Sequence, residues 1–392
     1  MYLLCYNKHG EIMKKAIKFI EKLEQFGYEG YLVGGSVRDH LLKLGSFDID
    51  IATNATPNQI MELFKSVPTG IKYGTVLVLY EDKQFEVTTY RKDFIYNNNR
   101  HPEKVMFSND INEDAQRRDF TINGLYMDKN YQIIDLVNGK ADLDNRIIKT
   151  IGNPDQRFQE DALRMLRAFY FVSKLNFDIE VNTMASIQKN GHLIKNVSSE
   201  RVYRELTKMS NHFNLLKAIR ALLISEIDIY LPGLSKGLNY MSDHEIMFHD
   251  KMFWAFCFYL NGYVDDYWKL SNADKGYYQD IIILLDEKTN WDNITLYNYG
   301  DDVLIDAAKI NAYLKKKPIT VLEITKKLRE LPIKSDSDIN ITNEEIIKIM
   351  AISPGAWLSK LRKELANLIL LNKLDNNQQE IIEFIKKRKQ NI

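Results

Sequence analysis

The spacing of apolar positions changes character along the chain, and the changes mark out its elements. Residues 11–25 place Ile12, Ala16, Ile20 and Leu23 on one stripe among lysines and glutamates, which predicts an amphipathic helix. The run Tyr31-Leu32-Val33 stops at Gly34-Gly35, after which a helical pattern opens. Phe47-Asp48-Ile49-Asp50-Ile51 then alternates strictly between apolar and acidic residues. As a strand it buries Phe47, Ile49 and Ile51 and presents Asp48 and Asp50 on the opposite face. Thr56-Pro57 supplies an N-cap and a first helical position for a short helix, Asn58 to Phe64. Thr75–Tyr80 and Gln84–Tyr90 are β-branched and aromatic runs joined by Glu81-Asp82-Lys83, an antiparallel hairpin beside the acidic strand, with Glu86 in its second arm. Arg91–Pro102 has no periodicity and holds three consecutive asparagines, so a loop is expected there. Tyr131–Leu136 gives one more strand, and from about residue 158 the pattern is helical.

This order predicts an α+β chain: a mixed sheet with helices, followed by an all-α remainder. With 392 residues and 45% hydrophobic composition there is ample core for two to four domains. No apolar run reaches the roughly 18 residues needed to span a bilayer, and residues 1–15 lack the ordered regions of a signal peptide. A cytoplasmic protein with no membrane partner is expected. Cys5 and Cys257 are far apart and lack metal-ligand spacing, which excludes a disulfide scaffold or a cysteine zinc site. His244 and His249-Asp250 are too few for a His-Asp metal site and read as structural. Net charge is zero, but residues 211–310 carry 8 Lys and Arg against 15 Asp and Glu, and residues 311–392 carry 16 against 10. The basic segment suits a phosphate backbone, although solvated helix faces would give the same counts.

Chemistry concentrates in three places. Two like charges at Asp48 and Asp50 suit Mg²⁺, which takes one or two carboxylates plus substrate phosphates. Backbone N–H groups at Gly34-Gly35 and the guanidinium of Arg38 suit phosphate oxygens. Within Glu160–Tyr170, read as one helix, Asp161, Arg164 and Arg167 project from a broad face. Cytosine and adenine show an amino donor next to a ring-nitrogen acceptor, whereas uracil and guanine show a carbonyl next to an N–H. An Asp that accepts beside an Arg that donates complements the first pair and leaves unpaired groups against the second.

Leu32-Val33-Gly34-Gly35-x-Val37-Arg38-Asp39-x-Leu41-Leu42 followed by Asp48-x-Asp50 resembles the first motif of the class II tRNA nucleotidyltransferases and bacterial poly(A) polymerases, a branch of the polymerase-beta-like nucleotidyltransferases. Arg117-Arg118-Asp119-Phe120-Thr121-Ile122-Asn123 resembles their second motif, with Gly124 in place of the usual Ala, and Glu160-Asp161-x-x-Arg164 resembles their base-reading template. Ser199–Leu206 is similar to their neck helix, and residues 352–358 to part of their tail. The resemblance implies a nucleotidyltransferase head at 1–140, a neck at 141–210, a body at 211–310 and a tRNA-binding tail at 311–392. It implies template-independent CCA addition to tRNA from CTP and ATP. Asp48 and Asp50 would hold Mg²⁺, with Glu86 a third carboxylate for the ion or the attacking hydroxyl. Gly35, Arg38 and Arg118 would cradle the triphosphate, Asp119 the ribose, and Asp161 with Arg164 the base. The family usually carries arginines at the positions of Arg167 and Tyr170, so Tyr170 is a departure, offering stacking where arginine would donate. Alternatives are a CC-adding or A-adding enzyme, a poly(A) polymerase, or a silent tRNA-binding or nucleotide-sensing protein. The oligomeric state stays open, a homodimer being one option.

Overall fold

The computed structural model describes residues 2–45, 48–94, 104–286, 291–314 and 320–389. They form two compact units, Met1–Asp250 with Tyr267–Lys269, and Lys251–Asp266 with Leu270–Ile392.

The first unit begins with α1 (Tyr2–Gln25), longer than the stripe predicted at 11–25. Met13, Ala16, Phe19, Ile20 and Leu23 are buried, and Phe19 stacks on Phe85 of the sheet at 6.0 Å. There follow β1 (Gly30–Val33), α2 (Gly35–Leu41), β2 (Asp50–Thr53), α3 (Pro57–Leu63), β3 (Ser66–Gly70), β4 (Thr75–Tyr80) and β5 (Lys83–Thr89). After β6 (Arg91–Phe94), β7 (Lys104–Phe107) and α4 (Ile111–Gln116) come β8 (Leu125–Met127) and β9 (Ile133–Asp135). Seven strands make one sheet in the order β3-β4-β5-β2-β1-β8-β9. Only β2 and β5 run parallel, so the sheet is mixed. Thr56 caps α3 in a reciprocal pair with Gln59.

The region expected as a loop from Arg91 departs from expectation at its start: residues 91–94 form β6, paired antiparallel with β7. The remainder of that stretch, 95–102, lies outside the described residues, as does Phe47.

Beyond the sheet come α5 (Gly139–Asp144), β10 (Ile147–Ile148), α6 (Pro154–Glu160), α7 (Leu163–Leu175), β11 (Asp178–Ile179), α8 (Val181–Asn190) and α9 (Ser199–Ser210). β10 and β11 pair in a short parallel ribbon, and α7 packs lengthwise on α9. Then α10 (Leu215–Ile224) and α11 (Ser235–His244) complete this unit.

The second unit is helical. It takes up α12 (Asp250–Asn261), with Trp254, Phe256 and Phe258 fully buried, and α13 (Asn272–Leu284). α14 (Asn293–Asn298), α15 (Asp301–Leu314), α16 (Val321–Glu330), α17 (Asn343–Met350), α18 (Ala356–Leu370) and α19 (Gln378–Lys389) follow. Ile333, Ile346, Leu365, Ile369, Ile381 and Ile385 form its later core. Among the described residues no helix is long and apolar enough to cross a membrane.

Candidate active site

β1 runs into Gly34, whose φ of 67° and ψ of −128° belong to a region that only glycine occupies without strain. A Cβ at Gly34 would stand 3.3 Å from Arg118 Nη1 and 3.9 Å from Asp50 Oδ2, so the glycine turn, an arginine and an aspartate meet at one point. β2 lies between β1 and β5, and its parallel register sets Asp50 opposite Glu86. Burial raises the Asp50 carboxyl to about 6; Glu86 and Asp48 push it the same way, against the pull of Arg118 and Arg38.

The strand expected from Phe47 to Ile51 is corrected at its start. β2 starts only at Asp50, so Asp48 and Ile49 lie on the approach to the strand; burial still alternates as expected, with Ile49 and Ile51 buried, Asp50 partly exposed and Asp48 exposed. Its charge still reaches Asp50. Among the described residues no three or more His, Cys, Asp or Glu side chains are grouped as a complete metal cage. Two carboxylates completed by phosphate oxygens is the arrangement such a donor set permits.

The arginines are held by acids that the motif reading did not single out. Fully buried Asp114 accepts from Arg117 Nη2 at 2.7 Å, Arg118 Nη2 at 2.9 Å and the Tyr126 hydroxyl at 2.6 Å. Burial would raise its carboxyl, but Arg118 and Arg117 hold it well below the usual range. Gly35 opens α2, and Arg38 on that helix is buried: it donates to Asn123 Oδ1 at 2.5 Å and to Asp39 Oδ1 at 2.8 Å, while Lys174 of α7 closes on Asp39 Oδ2 at 3.0 Å.

Asp119 accepts from the Phe120 amide at 2.8 Å, from Asn123 Nδ2 at 3.0 Å and from Arg167 Nε at 2.7 Å. Burial opposes its charge, yet Arg167 and Asn123 bring the carboxyl down to about 2. Arg167 thereby ties α7 to the second motif, a contact the sequence reading did not foresee.

The expected single helix through Glu160–Tyr170 is broken. α6 ends at Glu160, Asp161 is extended (φ −144°, ψ 102°), and α7 starts at Leu163. The side chain of Asp161 competes for the backbone, its Oδ1 accepting from the Leu163 amide at 3.2 Å. Asp161 and Arg164 are therefore not held side by side on one rigid helix. Arg164 Nη1 pairs with Glu160 Oε2 at 2.8 Å, and Asp161 Oδ2 with Arg201 Nη2 of α9 at 2.9 Å. Arg164 Nη2 also donates to the Arg117 carbonyl at 3.0 Å, which brings the third motif onto the second. The half-buried Tyr170 ring lies between Phe171 at 4.9 Å and His212 at 5.5 Å. His244 stacks on Tyr240 at 3.9 Å, and His249 Nδ1 lies 2.5 Å from the Ser210 carbonyl, contacts that fit structural histidines.

Asp114 could have been found from its i, i+3 and i, i+4 spacing to Arg117 and Arg118. Arg201, forty residues from Asp161, had no such signal.

Three family models match. The Poly A polymerase head domain covers residues 30–149, the RNA and SrmB- binding site of polymerase A covers 176–227, and tRNA nucleotidyltransferase domain 2 covers 253–385. The chain is 33% identical to the CCA-adding enzyme of Bacillus cytotoxicus over 95% of this chain and 98% of that protein. It is 35% identical to the CCA-adding enzyme of Enterococcus faecalis, over 96% of each. The crystal structure of the Bacillus stearothermophilus CCA-adding enzyme in complex with CTP superposes with a TM-score of 0.83 at 29% identity, covering 96% of this chain and 97% of that one. With its mixed-sheet head, its grouped motifs and this likeness along nearly its full length, the chain belongs to the CCA-adding enzyme family of nucleotidyltransferases.

Proposed function

We propose that the chain adds C, C and A in turn to the 3′ end of tRNA from CTP and ATP, without a nucleic-acid template and with release of pyrophosphate. The reading is carried by full-length likeness to CCA-adding enzymes in a chain where Asp50 stands opposite Glu86 and meets Gly34 and Arg118. A tRNA substrate puts this work in the cytoplasm.

Nucleotidyltransferases of this kind use a divalent metal, and Mg²⁺ is the ion the donors suit. Asp48 and Asp50 supply hard carboxylate oxygens, and the Asp50 carboxyl, raised by burial and by Glu86 despite Arg118 and Arg38, supports a site whose negative charge these arginines only partly offset until a cation is loaded. When bound, the ion lowers the pKa of the tRNA 3′-hydroxyl and offsets charge on the leaving pyrophosphate. The new bond joins the 3′-oxygen to the α-phosphorus as the bond to the bridging oxygen breaks. Glu86 serves as a further carboxylate at the same strand level, for the ion or for the hydroxyl proton. Gly35, Arg38 and Arg118 orient the triphosphate, and Arg38 and Arg118 arrive already fixed by Asp39, Asn123 and Asp114. Such pre-orientation removes entropy that the reaction would otherwise spend.

Asp119 faces the ribose while Arg167 holds its carboxylate ionised. Asp161 accepts the amino proton of cytosine or adenine, and Arg164 donates to the neighbouring ring nitrogen. Tyr170 closes this side with its ring in place of a guanidinium. A head at 1–140, a neck at 141–210, a body at 211–310 and a tRNA-holding tail at 311–392 belong to the same reading.

The test offers tRNA lacking one, two or three terminal nucleotides with each of the four nucleoside triphosphates, with Mg²⁺ and with chelator. Products that reach CCA and stop, only with metal, are expected. Poly(A) runs, arrest after CC, addition of A alone, or no incorporation would each overturn it.

A further inference from the structure

α1 packs on β5 and α3 on β4, and the side chains turned toward them, Val76, Val78, Phe85 and Val87, are buried. The opposite face of the sheet carries Asp50, and the register extends that face outward. Asp50 stands opposite Glu86, Glu86 opposite Leu77 of β4, and Leu77 opposite Val67 of the edge strand β3. Residues opposite one another in a ladder point to the same side, so these four form one row across four strands. At about 4.8 Å per strand the row runs roughly 10 Å beyond Glu86. Val67 is 48% exposed, and Leu77 is half-buried. In the row on one side, half-buried Leu79 stands opposite Gln84. In the row on the other, Thr75 and Thr88 pair their hydroxyls at 3.0 Å. The carboxylates thus border an apolar strip of Leu79, Leu77 and Val67.

The direction of the reaction decides what lies on this strip. Gly34 and Arg118 meet Asp50 where β1 ends, across β2 from β5. In phosphoryl transfer the attacking and leaving oxygens stand roughly in line through the phosphorus. With pyrophosphate leaving on the β1 side, the attacking 3′-hydroxyl arrives over β5, and the nucleoside that bears it lies over β4 and β3. That nucleoside changes during the addition of C, C and A: it is first the last one of the tRNA itself, then C, then C again. A surface that hydrogen-bonded to base edges would favour one of them. An aliphatic surface holds each by contact alone. β3 is also flanked by Lys65 and Lys72, both exposed, which suit the phosphate leading into that nucleoside.

We infer that Leu77 and Val67 form the seat of the 3′-terminal nucleoside of the tRNA, holding its base by apolar contact while the carboxylates of β2 and β5 face its 3′-hydroxyl. The inference rests on the proposed addition of nucleotides to tRNA.

The experiment measures CTP addition to minihelices that keep the acceptor stem, lack the elbow and end in each of the four bases. The proteins are the wild type, Leu77→Ala, Leu77→Met, Val67→Ala and Val67→Asp. Leu77→Ala and Val67→Ala are expected to raise KM for the minihelix about 5- to 15-fold, the equivalent of one or two buried methylene groups. KM for CTP stays as in the wild type, and the rise is the same for all four terminal bases. Leu77→Met, which keeps the apolar bulk, recovers most of the loss, and Val67→Asp loses more than Val67→Ala. Equal rises in both KM values, a loss confined to one terminal base, or wild-type KM in Val67→Asp each overturn the inference. Should Leu77→Ala not fold, the two Val67 proteins, altered at an exposed position, decide by the same split. A wild type that adds nothing to any minihelix or tRNA overturns the proposed function, whereas an active wild type with unaffected variants overturns this inference alone.

Discussion

Asp50 is costly to the protein before it has a metal to hold. Its carboxyl is raised from 3.8 to about 6, so between those values the folded state binds a proton that the unfolded state has released. Stability therefore falls as pH rises through that window, and above about pH 6 the ionised group destabilises the metal-free fold. Asp50→Asn removes the charge. In chelator-treated protein it should gain about 1–3 kcal/mol above pH 6, a range set by about 1.4 kcal/mol per pKa unit and reduced for partial solvent contact. The gain should vanish near pH 4, and urea titration across pH measures it. The same protein should lose incorporation at least about a thousandfold with Mg²⁺ present, if the ion contributes several kcal/mol to the transition state. Equal stability of the two proteins at pH 8 would show that Asp50 bears no such strain.

Which elements were readable in the sequence follows from what forms them. The hairpin of β4 and β5 came through because alternation and turn chemistry are local, and its placement beside Asp50 agrees with the register Asp50 to Glu86. The mixed sheet followed from the same signals. The break at Asp161 did not come through: a helical period runs across it, and the interruption rests on one side chain capturing the Leu163 amide. The start of β2 was misjudged for a related reason, since the alternation of Asp48, Ile49, Asp50 and Ile51 begins two residues before the ladder does. The joint between α2 and the sheet makes a sharper test. Gly34→Ala forces a positive φ on a side chain, at about 1–3 kcal/mol, and should lower nucleotide incorporation more than tenfold by shifting Arg118. Gly35→Ala meets only Arg38 Nη2 at 3.5 Å and should be much milder. Paired thermal melts and CTP kinetics compare them. The link from the second motif to α7 is likewise electrostatic. Asp119→Asn leaves Arg167 short of its anion and should cost about 2–3 kcal/mol, below the roughly 3–5 kcal/mol for breaking a fully buried pair because Arg167 is partly exposed. With the wild-type carboxyl at about 2, that difference should be present above pH 4 and fade as pH falls toward 2.

Charge is distributed over the whole chain in a way that zero net charge conceals, and the sequence showed it directly. Residues 311–392 carry 16 Lys and Arg against 10 Asp and Glu, and Lys360, Lys363, Lys386 and Lys387 are exposed on α18 and α19. If this region holds the tRNA backbone, each lysine on a phosphate releases counterions, and affinity falls with salt in proportion to their number. Replacing the four by glutamine should weaken tRNA binding and flatten the slope of log affinity against log salt by about one for each lysine that sits on a phosphate. It should leave CTP incorporation unchanged on a minihelix that keeps the acceptor stem and lacks the elbow, because none of the four belongs to the candidate active site. Filter binding at several salt concentrations and minihelix kinetics separate the two effects. An unchanged slope would mean that these lysines are solvated helix faces, the other reading their composition allowed. A loss of minihelix activity equal to the loss on tRNA would place them in the chemistry instead, against the division of labour in which the sheet unit activates the nucleotide and the basic helices hold the RNA.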